Sequence, residues 1–123
     1  MTDAPGVGID LLAVGRLERA LQRRPQLAGR LFTEREIAFC AAKARPARHL
    51  AGRFCAKEAA IKALGLGPGA ISCLEVAGGG DGPPSLVLSG AARRRAESLG
   101  VTVEISITHD REMAAAVAIA RSR

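Results

Sequence analysis

Between Arg48 and Leu64 the chain reads as a long helix that has no side for water. At about 100° per residue, Leu50, Phe54, Ile61 and Leu64 form one bulky apolar stripe. Gly52, Ala56, Ala59, Ala60 and Ala63 lie almost opposite, a stripe of very small residues suited to close packing. Gly65 and Gly67 close the segment. A helix apolar on both sides must be covered on both, so the fold has to be built around it. Yet Arg53, Lys57, Glu58 and Lys62 sit on it. Taken singly, Glu58 and Lys62 read as an i,i+4 surface pair, and Arg53 and Lys57 as side chains that reach out to solvent. Four charges on a helix without a polar face are harder to place, because burying charge is costly unless it is paired or holds a ligand. The helix is therefore a candidate site.

The rest of the chain has to supply the cover. Its 123 residues suffice for one domain, and 48% hydrophobic with 24% charged residues exclude a disordered tail. Only Phe32, Phe39 and Phe54 are aromatic, so the core rests on Ala, Leu, Val and Ile. A domain this small buries only about two-thirds of its unfolded surface and often gains stability by association.

Val7–Val14 reads as a buried strand, opening from Pro5 and apolar except for Asp10. A short amphipathic helix over Val14–Arg24 follows and stops at Pro25. Thr33-Glu-Arg-Glu36 is a capping-box pattern opening a helix to about Lys43, and a loop around Arg45-Pro46 leads into the long helix. Ser72–Ala77 and Ser85–Leu88 are short strands around the loop Gly78–Pro84, and Ala91–Leu99 is a basic helix. Val101, Val103, Ile105 and Ile107 alternate with polar residues as a half-buried strand. Ala114–Ala120 is expected to be its hairpin partner across His109–Glu112, with small residues suited to packing closely against a neighbouring subunit. The sum is a single α+β domain over 1–123, with an antiparallel-rich sheet packed against a long helix.

Eighteen Lys and Arg against 12 Asp and Glu leave +6, and the isoelectric point is near 10.2. Such a surface attracts nucleic acid, a phosphorylated ligand, an acidic protein or a membrane. Single-stranded nucleic-acid binders stack bases on aromatic platforms, and a chain without Tyr or Trp lacks them. Cys40, Cys55 and Cys73 are odd in number and widely spaced, which suggests reduced thiols rather than a disulfide framework or a zinc site. The first residues lack a basic, then apolar, leader. The longest apolar run, Met113 to Ala120, has eight residues where a bilayer needs ~20. A cytoplasmic protein is expected.

Asp10 interrupts an apolar strand where Asp is disfavoured. It either ends the strand and caps the turn, or serves a site. His109 continues the core parity of its strand; a lone His there is more often a hydrogen-bonded core or turn residue than a catalyst. Two acids, several cations on one helix and a histidine together suggest magnesium and phosphate chemistry. Magnesium takes one or two carboxylates and fills its other positions with water and phosphate oxygens. Gly65-Leu-Gly-Pro-Gly69 has no following Lys-Ser/Thr, and Gly78–Gly82 lacks the context of a dinucleotide fingerprint, so both read as turns.

Gly6-Val-Gly-Ile-Asp10-Leu-Leu, Arg53-Phe-Cys-Ala-Lys57-Glu58-Ala-Ala-Ile-Lys62-Ala-Leu-Gly65 and Ser106-Ile-Thr-His109-Asp110 make the chain resemble the small holo-acyl-carrier-protein synthases, a class of 4′-phosphopantetheinyl transferase. Leu31-Phe-Thr33-x-x-Glu36 and Asp81-Gly82-x-Pro84 are weaker matches. The resemblance implies transfer of phosphopantetheine from coenzyme A to a serine of an apo acyl carrier protein, releasing adenosine 3′,5′-bisphosphate; it points to fatty acid biosynthesis and leaves the carrier open between fatty-acid and polyketide synthesis. Asp10 and Glu58 match the acids that hold Mg2+ on the pyrophosphate, and Lys62 the lysine at the phosphates. Arg53 and His109 match positions lining the nucleotide, Gly82 and Pro84 a loop near the adenosine, and Lys57 is expected to bind substrate beside them. Arg16 matches a basic residue that docks the carrier. The resemblance also implies a homotrimer with shared sites, with neither nucleic acid nor membrane as partner. The general base is left open among Glu58 through a water, a metal-bound hydroxide, and Asp10. Cys55 stands where the family usually has Ala, and Pro83 replaces a residue that is frequently basic.

Two other readings compete. A basic RNA- or ribosome-associated module would explain Arg16, Arg19, Arg23, Arg24 and Arg93-Arg-Arg95 as phosphate contacts, but gives no reason for Asp10 or Glu58. A metal-dependent phosphohydrolase would need no carrier.

Overall fold

The structure, a computed structural model, describes residues 6–123. The expected start of the first strand at Pro5, and the reading of the first five residues, lie outside the described residues. Strand β1 (Val7–Ala13) pairs antiparallel with β5 (Met113–Ser122), and β5 pairs antiparallel with β4 (Val101–His109), so the sheet order is β1-β5-β4. A separate antiparallel pair joins β2 (Leu74–Ala77) to β3 (Ser85–Leu88). The helices are α1 (Val14–Arg23), α2 (Leu27–Leu31), α3 (Glu34–Ala41), α4 (Pro46–Leu64) and α5 (Gly90–Leu99). The mixed fold with an antiparallel sheet against one long helix is the one expected.

The expected loop at Arg45-Pro46 is shorter than its sequence suggests. Pro46 sits in the first turn of α4, where a missing N–H costs nothing, so the helix starts two residues early. Gly65 ends it in the left-handed region (φ 67°), and its N–H reaches back to the carbonyls of Ile61 and Lys62. In between, the small stripe lies on the sheet. A Cβ on Gly8 would stand 1.8 Å from the Ala59 carbonyl oxygen, and one on Gly6 1.9 Å from that of Ala63. Across the sheet the same close approach is allowed by Ala114, Ala116, Ala118 and Ala120, all buried. The bulky side of α4 meets Val14, Leu17, Phe32, Cys40 and Val76 along one half and Leu74, Ala92 and Ala96 along the other.

Thr33 caps α3 as its sequence predicts: its hydroxyl accepts from Glu36 N at 3.2 Å while Glu36 Oε1 accepts from Thr33 N at 2.8 Å. Three details differ from the sequence reading. Helix α2 was not expected, and five residues are too few for a periodic signal. Ser72 and Cys73 belong to a 3-10 helix (Pro68–Cys73) rather than to the following strand. The even-numbered alanines of β5 pack inside the subunit against α4, not outward as an association surface would require. The outer sheet face instead shows Val7, Ile9 and Leu11 at 64–67% exposure, with Ile119 at 39%.

Candidate active site

Asp10 lies in the middle of β1, opposite Ala116, so it does not end the strand or cap the turn. Strand alternation puts it on the same face as Gly8 and Leu12, the face against α4. Glu58 and Lys62, one turn apart on α4, meet it there. Lys62 Nζ is 3.5 Å from Asp10 Oδ1 and donates to the Ile9 carbonyl at 2.8 Å. Burial, and then the negative charge of Asp10, push the Glu58 carboxyl above its ordinary value, with Lys62 pulling the other way. Two like-charged carboxylates side by side are the arrangement that a hard divalent cation relieves, and an all-oxygen donor pair suits magnesium. Among the described residues no group of three or more His, Cys, Asp or Glu side chains converges, so such an ion would take its remaining ligands from water and substrate. Under the pair, Cys55 is buried 3.5 Å from the Ala114 carbonyl oxygen. Burial, with Asp10 adding to it, pushes its thiol up to about 12, so it stays protonated and inert.

An open groove of about 370 Å3 runs from these acids between β1, α1 and α4. Leu12, Leu17, Leu27, Leu31 and Phe54 make it apolar, and Asp10, Glu58 and Arg16 are the charged residues of its lining. Arg16 also lines a neighbouring, more polar groove of about 560 Å3 with Arg19, Arg45 and Arg111.

A second cavity, of about 140 Å3, lies where α4 meets the end of β4 and the loop between β2 and β3. His49, Arg53, Gly79, Pro84, Ile107 and His109 line it. Arg53, expected to contact nucleotide, is 5% exposed: Nη2 donates to the Gly78 carbonyl at 2.7 Å, and the guanidinium lies over Phe39 at 4.2 Å. Gly79 has φ 87°, a conformation that side chains resist, so the loop can lay its backbone beside Arg53. Of the two loop residues carried by the resemblance, Pro84 reaches this cavity and Gly82 does not; Gly82 is exposed, with open space about it. His49 was missed by the sequence reading, although its place four residues before Arg53 puts both on one face of α4.

Lys57 requires a correction. It is 1% exposed, and its ammonium pairs with buried Glu36 and donates to the Leu31 carbonyl at 2.8 Å. Glu36 Oε2 in turn accepts from Val76 N at 2.7 Å, and the Thr33 hydroxyl donates to Glu75 at 2.6 Å. Lys57 thus ties α4 to the start of α3 and to β2 and is spent on the fold rather than on substrate. Glu58, the next residue in sequence, lines the groove, but a step of about 100° turns Lys57 away from it.

A family model described as the 4′-phosphopantetheinyl transferase superfamily matches residues 6–118. A holo-[acyl-carrier-protein] synthase of Moorella thermoacetica is 44% identical over 118 residues, 94% of this chain and 92% of that one. One of Streptomyces coelicolor is 44% identical over 117 residues, covering 94% and 95%. Among solved structures, a complex of coenzyme A with the synthase of Chronobacterium ammoniagenes superposes with TM-score 0.85 at 28% identity, covering 98% of both chains. The Helicobacter pylori synthase in complex with coenzyme A does so at 0.78 and 27%, covering 93% and 98%. The chain belongs to the 4′-phosphopantetheinyl transferase superfamily. Within it, this is an enzyme of the holo-acyl-carrier-protein synthase class.

Proposed function

We propose that this enzyme moves 4′-phosphopantetheine from coenzyme A to a serine of an apo acyl carrier protein and releases adenosine 3′,5′-bisphosphate. The observation that carries this reading is the meeting of Asp10 and Glu58, with Lys62 beside them, in the lining of an apolar groove. Asp10 and Glu58 would hold Mg2+, which supplies charge neutralisation at the pyrophosphate when bound. Lys62, 54% exposed and anchored on the Ile9 carbonyl, presents its ammonium to the leaving phosphate. The apolar groove suits the pantetheine arm. Arg53, His109 and Pro84 form the nucleotide end, with Arg53 about one and a half helical turns from Glu58. Arg16 and the arginines near it face an acidic carrier.

The exposed row Val7, Ile9 and Leu11 supports association through the outer sheet face, and the resemblance supplies a trimer with shared sites. No helix among the described residues is long and apolar enough to cross a membrane. The three cysteines are free, and we assign the enzyme to the cytoplasm, where thiols stay reduced.

Mass spectrometry of an apo carrier protein incubated with coenzyme A and magnesium tests the reaction. A gain of one phosphopantetheine is expected; free phosphopantetheine with an unmodified carrier would mean hydrolysis instead. Magnesium-dependent binding of coenzyme A, set against nucleic-acid affinity that falls steeply with salt, separates the enzyme from an RNA-binding module.

A further inference from the structure

The nucleotide end of the site contains both histidines of the chain, and they touch each other. His49 on α4 and His109 at the end of β4 meet edge to face, ring centroids 5.0 Å apart with planes at 76°. Gly52 makes room for this contact: a Cβ there would come within 2.8 Å of Ile107 Cγ2 and 3.6 Å of His109 Cδ2. Two donors in this region lack acceptors. Arg53 Nε, on a side chain that lines the cavity, and Arg48 Nε are buried without a hydrogen-bond partner. Buried donors without acceptors are costly, which suits a place that an anion fills.

The surrounding charge is one-sided. Lys43, before α4, and Arg48 and Arg53, on α4, all act on His49; Arg48 and Asp110 act on His109. Asp110 is the only acid among them. Its carboxylate is already engaged by the backbone N–H groups of Glu112 and Met113, at 2.8 and 2.7 Å. Burial comes first for both rings; the His109 imidazole and then Lys43, Arg48 and Arg53 add to it at His49, and Arg48 adds to it at His109, so both rings lie below the ordinary histidine value. Without an anion the pair is therefore neutral near pH 7. A phosphate dianion reverses the balance, because it offsets the cations and accepts a charge-assisted hydrogen bond from an imidazolium.

We propose that His49 is a specificity-determining residue of this enzyme, and that the His49–His109 pair takes up one proton when a terminal phosphate of the substrate nucleotide enters the cavity. This rests on the transfer reading above. The phosphate concerned is a monoester rather than the pyrophosphate, because His49 lies about 13.5 Å along α4 from Glu58. The proton comes from solvent onto one ring nitrogen, and no covalent bond changes. Affinity should then fall as pH rises from the depressed value of the free pair toward the higher value of the bound pair.

The test uses protein labelled with 15N in histidine, whose two imidazoles are assigned with His49→Phe. At pH 7.5 the phosphate monoester, with a second pKa near 6, is already a dianion, so protons gained on binding belong to the protein. Saturation with adenosine 3′,5′-bisphosphate should convert one imidazole from the neutral to the imidazolium spectrum. His49→Phe keeps a ring in the gap but cannot donate. It should weaken the bisphosphate about tenfold and reduce the preference for coenzyme A over dephospho-coenzyme A by a similar factor. His49→Gln, which donates but does not titrate, should bind better than His49→Phe. Two neutral imidazoles in the saturated protein, or wild-type discrimination in His49→Phe, would overturn the proposal. If the bisphosphate binds and the carrier is still modified, that outcome leaves the transfer reading standing; failure of both binding and carrier modification removes the two together.

Discussion

At the residue scale, one charged helix divides its charges between chemistry and folding. Asp10→Ala and Glu58→Ala should each abolish carrier modification while circular dichroism stays unchanged, since both side chains open on the groove and the Asp10–Lys62 pair that the first removes is half-exposed and weak. Near-normal turnover in either variant would remove the metal assignment. Glu58 also has a pH signature. Its folded carboxyl holds a proton more firmly than the unfolded chain does, so stability falls as pH rises from the ordinary carboxylate range, about 4.3, through the folded value. Glu58→Gln removes that cost. At pH 7 it should leave an inactive protein whose melting temperature rises by roughly 1–2 °C, the effect of a few tenths of a kcal/mol screened by open solvent. Lys57 should behave in the opposite way. Lys57→Ala leaves Glu36 buried without its cation and should cost about 3–5 kcal/mol in urea unfolding. A stable Lys57→Ala protein with a raised KM for coenzyme A would return this lysine to the substrate site.

At the scale of elements, the site exists because α4 and β1 are nearly in backbone contact. Asp10 reaches Lys62 and Glu58 only if Gly8, two residues earlier on the same face, lets the Ala59 carbonyl come close. Gly8→Ala puts a methyl 1.8 Å from that oxygen, and β1 cannot draw back without disturbing its pairing with β5. We expect a loss of about 3 kcal/mol or more and a larger fall in kcat than in substrate affinity, because the acids separate. Unfolding and steady-state kinetics on one preparation check both parts. The arginines of α1 act at the other edge of the groove. Arg16→Glu should raise KM for the carrier far more than KM for coenzyme A, since charge reversal on a docking patch slows association. Equal effects would place Arg16 in the nucleotide site.

At the scale of the whole molecule, a three-stranded sheet covers α4 on one side and shows an apolar row on the other. Val7, Ile9 and Leu11 alternate with residues that face α4, so a slip of register that turned them inward would turn Gly8, Asp10 and Leu12 away from the helix. Ile9→Glu should therefore lower the mass measured by light scattering from that of a trimer toward that of a monomer, with loss of activity. Full activity of the wild type at a monomer mass would end the proposal of shared sites. Mixing Glu58→Ala with a variant altered on the opposite side of a shared site should restore part of the activity.

Local chemistry determined most of the elements. The capping box at Thr33, the left-handed stop at Gly65 and the alternation of Val101–Ile107 depend on neighbours a few residues away and are legible in the chain. The importance of α4 was legible too, because a helix apolar on both sides must be buried, and so was the oddity of Asp10 and Glu58. Which charge serves which purpose was decided only by tertiary structure. Lys57 and Glu58 are adjacent in sequence, yet one faces Glu36 and the other the groove, because the partners come from segments brought in from opposite sides of the helix. For the same reason the sequence could not distinguish alanines that admit α4 from alanines that face a neighbour. His49 became visible as part of a pair only when β4 carried His109 across the helix to meet it.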